Sequence, residues 1–102
     1  MKPSRLREKA REDLDHAVAY YAEHAPHMVD RFADAFLAAR HHIETHPGTG
    51  SARYAKELGL TGTRFWTLND FPYAVFYVER ADFIDILRVL HQASDIPARF
   101  EN

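Results

Sequence analysis

Apolar residues recur at helical spacing through the first half of the chain and at alternate positions through the second. Leu14, Ala17, Val18 and Tyr21 fall at i, i+3, i+4 and i+7, with Glu12, Asp13, Asp15 and His16 on the remaining arc. That spacing predicts an amphipathic helix after Arg7. Pro26 interrupts it, because the residue before a proline avoids helical backbone. A second helix is expected from Pro26 or His27, where proline is tolerated in the first turn. Its apolar stripe is Val29, Phe32, Ala33, Phe36 and Ile43, and His46-Pro47-Gly48 ends it. Two helices joined at one proline predict an antiparallel helical hairpin.

All four glycines, Gly48, Gly50, Gly59 and Gly62, follow the second helix. They mark a long irregular crossover in which Lys56, Glu57 and Leu58 are expected to form one turn of helix. After Gly62 the period becomes two. Strands are expected over Thr63 to Leu68, Tyr73 to Glu79 and Phe83 to His91, joined by turns at Asn69-Asp70-Phe71-Pro72 and Arg80-Ala81-Asp82. Ser4 to Leu6 is a candidate fourth strand at the sheet edge, disfavoured by Pro3. Strict alternation places Ile84, Ile86, Arg88 and Leu90 on one face of the last strand. Phe83, Asp85, Leu87, Val89 and His91 then lie on the other. One face has to cover the helical hairpin, and the second is apolar enough to require a cover of its own. The segment from Ala93 to Asn102, with Pro97 and Phe100, reads as a short docking turn. The expected fold is α+β: an N-terminal antiparallel helical hairpin packed on a three- to four-stranded antiparallel sheet, in a single domain over residues 1–102.

Composition narrows the function classes. With 102 residues, 46% hydrophobic and 13% aromatic, the chain can bury one core and is not a disordered tail. Its formal charge of −2 lacks the strong basic balance of a protein held chiefly by nucleic-acid phosphates. Absence of cysteine excludes disulfides, thiolate nucleophiles and Cys-ligated zinc. The charged N-terminus, MKPSRLREKARED, carries no secretory signal, and no apolar run is long enough to span a bilayer. A cytoplasmic protein without a membrane partner is the expectation.

Several side chains carry possible chemistry. His42 and His46 are spaced i, i+4 near the end of the second helix, but HHIETH lacks the register of an HExxH site and no metal is expected. Arg88 sits among apolar residues and needs an acidic partner, either Glu79 or Asp95 within the chain, or an acid or phosphate brought by a target. Arg64 opens the first long strand, and His91 is a candidate acid or base. Trp66, Tyr73, Phe76 and Tyr77 form either a stacking platform or part of the core. A Gly-rich phosphate loop, a nucleophile elbow and a spaced carboxylate pair are all absent.

Taken in order, Ala10 to Leu14, Phe32 with the aliphatic positions after it, Pro47-Gly48, Gly62-Thr63-Arg64, Phe71-Pro72-Tyr73, Phe76-Tyr77 and Ile86 to His91 resemble the RelE/ParE toxins of type II toxin–antitoxin systems. The phrase ILRVLHQASD is closest to the ParE branch, with Ser94 where many relatives carry arginine. This resemblance implies a toxin that inhibits DNA gyrase by protein binding and is neutralised in a hetero-oligomer by a ParD-like antitoxin. Direct DNA binding and a cofactor are not implied. The alternative is a RelE-like ribosome-dependent mRNA interferase, an endoribonuclease using Arg64, Arg88 and His91. No residue is otherwise assigned as catalytic. The residues expected to meet the target or antitoxin are Arg64, Trp66, Tyr77, Arg88 and His91.

Overall fold

The computed structural model describes residues 1–101. Strand β1 (Ser4–Leu6) leads into helices α1 (Glu8–His24) and α2 (Val29–Thr45), which are joined through a 3-10 turn at Pro26–Met28. A second 3-10 turn at Pro47–Thr49 and the short α3 (Ala55–Leu58) precede β2 (Thr63–Thr67), β3 (Tyr73–Glu79) and β4 (Ile84–His91). The short helix α4 (Ile96–Phe100) closes the described chain. The sheet order is β1-β4-β3-β2. The fourth strand therefore exists, but it pairs in parallel with β4, so only the three long strands are antiparallel.

Pro3 does not prevent β1, because the ladder uses its carbonyl, which accepts from the Ile84 N–H at 2.9 Å. Helix α2 holds the strand from outside: Glu44 accepts the Ser4 N–H at 3.0 Å and Arg40 donates to the Ser4 carbonyl at 3.0 Å. Phe32, Phe36, Ala39 and Ile43 are the buried stripe of α2, whereas Ala33, expected inward, is exposed because the stripe drifts toward Ala39. Against them pack Val75, Tyr77, Ile84, Ile86 and Val89 of the sheet and Ala10 and Ala17 of α1. Phe32 also meets Phe71 and Tyr73 edge-on at 5.3 and 5.4 Å, an arrangement that favours the ring quadrupoles. Phe71 reaches this cluster because Asp70 takes a left-handed turn at φ 66°, a conformation its short polar side chain tolerates.

A bulge in β4 changes the expected faces. Phe76 stands opposite Arg88 but Tyr77 stands opposite Ile86, so Leu87 is an inserted residue. Alternation slips by one there. Val89 consequently joins Ile84 and Ile86 against the helices, while Leu90 joins Ala74 and Phe76 on the opposite face. The grouping of Ile84, Ile86 and Leu90 on one face is thereby corrected. That opposite face is partly covered by the chain itself: Ile96 and Phe100 of α4, with Tyr54 and Phe65, pack on Ala74, Phe76 and Leu90.

Candidate functional site

The crossover loop is anchored by a tyrosine. Tyr77 is 1% exposed, and its hydroxyl donates to the Pro47 carbonyl at 2.6 Å while accepting the Gly50 N–H at 3.1 Å. Burial raises its pKa, offset in part by the hydrogen bond from Gly50. A side chain so enclosed cannot touch a partner, which removes Tyr77 from the expected contact residues. Arg64 serves the same loop by donating to the Gly50 carbonyl at 2.8 Å. Trp66 lies flat on His42, with centroids 3.9 Å apart and planes at 14°, and His42 stacks in turn on His46. These two histidines thus support the tryptophan. Among the described residues no group of three or more side chains is placed to hold a metal.

Arg88 does have an acidic partner, and it is neither Glu79 nor Asp95. Asp13 of α1 receives its Nε and Nη2 at 2.8 and 2.9 Å, and also accepts the Val89 N–H at 3.0 Å. A third Arg88 donor reaches the Arg99 carbonyl in α4. The pair is well buried, at 13% and 12% side-chain exposure, and the hydrogen bond to Asp13 raises the arginine's pKa. Sequence pattern missed this partner because α1 crosses β4 only in the tertiary fold. Asp95 instead caps α4, accepting the Ala98 N–H at 3.3 Å.

The three candidate ribonuclease residues do not converge. Arg64 stands opposite Tyr77 and His91 opposite Tyr73, four residues or about 13 Å apart along β3. Arg88 is opposite Phe76, in the other phase of the pleat, and is already engaged. His91 lies at the exposed end of β4, where its Nδ1 accepts the Ala93 N–H at 3.0 Å and its ring meets Tyr73 edge-on.

A large concavity lies on the far face of the sheet. It is a groove of about 580 Å³ between the start of α1, the Gly59–Thr61 loop, the ends of β3 and β4, and Phe100. Leu60, Val78, Leu87 and Phe100 supply its apolar surface, and Arg7, Lys9, Arg80 and Arg88 surround it. Beneath the rim, Asp85 is 6% exposed. Arg7 donates to it at 3.1 and 3.0 Å, and Arg80 at 3.2 and 3.0 Å. The Arg7 hydrogen bonds lead the forces that hold the Asp85 carboxyl below its ordinary range. None of these rim residues except Arg88 stood out in the sequence. The available signal was an aspartate inside an apolar strand, which needs a cation nearby.

The family model for the ParE toxin of type II toxin–antitoxin systems, parDE, matches residues 5–96. The chain belongs to this ParE toxin family. No curated protein sequence matches at a significant level. The ParE-family fold is seen in a solved structure of the chromosomal ParDE toxin–antitoxin system from P. aeruginosa, with a TM-score of 0.73 and 21% identity. That similarity covers 89% of this chain and 96% of the other. The α+β architecture is shared with it, and the family match makes the present chain a ParE-type toxin. Among the described residues no helix is long and apolar enough to cross a membrane.

Proposed function

We propose that this toxin acts by protein binding, inhibiting DNA gyrase in the cytoplasm, and that a ParD-like antitoxin neutralises it in a hetero-oligomer. The observation that carries the non-enzymatic reading is the dispersal of Arg64, Arg88 and His91. Arg88 is held by Asp13, Arg64 donates to the Gly50 carbonyl and His91 stands apart, so these three do not act together to move a proton and steady a phosphate. The groove on the far sheet face supports an antitoxin partner, since a segment that folds on binding can cover such a surface. Arg64, Trp66, Arg88 and His91 then divide between roles: Arg64 and Arg88 stabilise the scaffold, while the partly exposed Trp66 and exposed His91 remain available for contact.

Purified toxin added in excess to a gyrase supercoiling reaction should stop it, and the product of the adjacent small reading frame should restore it. Full supercoiling at toxin excess would refute the gyrase reading. Discrete cuts in translated mRNA, read by primer extension after induction, would replace it with the endoribonuclease alternative.

A further inference from the structure

We propose that His42 and His46 form a chelating site for a divalent transition-metal ion of the Cu²⁺, Ni²⁺ and Zn²⁺ class, at the C-terminal end of α2. The first argument is which ring nitrogens are left free. A hydroxyl has one proton to donate, and here both threonine hydroxyls give it to the backbone. Thr49 Oγ1 donates to the His46 carbonyl at 2.8 Å. It therefore accepts from His42 Nε2, also at 2.8 Å, and in the neutral ring that nitrogen carries the proton. Thr45 Oγ1 donates to the His41 carbonyl at 2.9 Å, so His46 Nδ1, at 3.0 Å, is likewise the donor. The lone pairs thus lie on His42 Nδ1 and His46 Nε2, and neither has a hydrogen-bond partner among the described residues. An imidazole whose second nitrogen donates to an oxygen is set up to ligate a metal, because that bond fixes both tautomer and ring orientation.

The second argument is placement. The two rings stand one helical turn apart, with centroids separated by 5.3 Å. Two imidazoles on one tetrahedral ion, with metal–nitrogen bonds of roughly 2.0–2.1 Å, have centroids about 5 Å apart. Trp66 lies against His42 at 3.9 Å and holds its plane, while His46 is exposed to ions from solvent. Glu44, the nearest acid in the sequence, is engaged by Ser4 and Arg40. Among the described residues no third protein ligand joins the pair. Water completes the coordination, which makes this an exchangeable site rather than a closed structural one. Imidazole donors select Cu²⁺, Ni²⁺ and Zn²⁺ over Mg²⁺ and Ca²⁺, which prefer oxygen. The missing HExxH register excludes a hydrolytic centre, but it does not bear on a two-imidazole chelate. A bound ion would clamp the last turn of α2 onto its cap, next to the Pro47–Gly50 segment that Tyr77 anchors.

The test uses the full-length toxin and Trp66, the chain's single tryptophan. Cu²⁺ held by the residue stacked on that indole should quench its fluorescence at one ion per chain, and excess Zn²⁺ should displace it and restore the emission. Equilibrium dialysis with Zn²⁺ gives the affinity without the fluorophore. His46→Ala alters an exposed side chain, so the fold should survive, as circular dichroism will check. It should weaken both ions by about tenfold or more. Thr49→Val keeps both imidazoles but removes the oxygen that fixes His42, and should weaken them by about 10–100-fold. His41→Ala, an exposed neighbour outside the pair, should bind as wild type does. Zn²⁺ should raise the Tm of the wild type and leave that of His46→Ala where it was. Wild-type affinity in His46→Ala, or no quenching at one ion per chain, would overturn the inference. The gyrase and antitoxin readings are tested by separate assays and stand or fall independently of it.

Discussion

Replacing Arg88 tests whether this arginine belongs to the scaffold or to a contact surface. In Arg88→Met the aliphatic stem remains, but Asp13 loses donors at 2.8 and 2.9 Å and keeps only the Val89 N–H at 3.0 Å. The Arg99 carbonyl loses its donor as well. Removing one member of a buried ion pair costs about 3–5 kcal/mol, because the other charge stays buried and unpaired. Asp13 is 12% exposed and retains one donor, which places the loss near the low end, at about 3 kcal/mol. For a domain of this size that corresponds to a fall in Tm of roughly 12–24 °C. Urea unfolding of wild type, Arg88→Met, Asp13→Asn and the double variant gives the comparison. The double variant should lose less than the two singles together, since neutralising Asp13 relieves the stranded carboxylate. Additive losses, or a single loss below about 1 kcal/mol, would refute the scaffold role. Toxicity lost at full stability would return Arg88 to the target surface.

Acid and loop contacts give further tests. Asp85 has its carboxyl pKa lowered from the ordinary 3.8, first through hydrogen bonds from Arg7. Its stabilising contribution is therefore complete above pH 4 or so and is lost as pH falls from about 3.8 through the lower folded value. Asp85→Asn should flatten that part of the acid unfolding curve measured by circular dichroism; an unchanged acid limb would contradict the Arg7–Asp85–Arg80 clamp. Tyr77→Phe strands the Pro47 carbonyl and Gly50 N–H, at an expected cost of about 2 kcal/mol in urea unfolding. Gly50→Ala should also destabilise, because a Cβ there would collide with the Tyr77 hydroxyl and stand 2.9 Å from the Phe65 carbonyl oxygen. If Gly50→Ala is neutral in wild type, the loop does not sit against Tyr77 as described.

Local pattern was enough for the elements themselves. Proline at 26 and 47, the 3.6-residue stripe and the later alternation of aromatic and β-branched residues act within a few neighbours, so α1, α2 and the three long strands were legible from composition and spacing. The single turn at α3, also expected from the residues, is present as Ala55–Leu58. Family membership was legible too: the ordered phrases from Ala10 to His91 lie within residues 5–96, which the family model matches. What depended on tertiary structure was the register between strands and the pairing of charges across the chain. Leu87 is an insertion only relative to Phe76 and Tyr77 of the neighbouring strand, and no inspection of β4 alone reveals that slip. Asp13 and Arg88 are 75 positions apart, and Arg7, Arg80 and Asp85 meet only once β1 lies parallel to β4. Hydrophobic periodicity specifies which side of an element is buried; it carries no information about which charges are brought together when those sides close on one another.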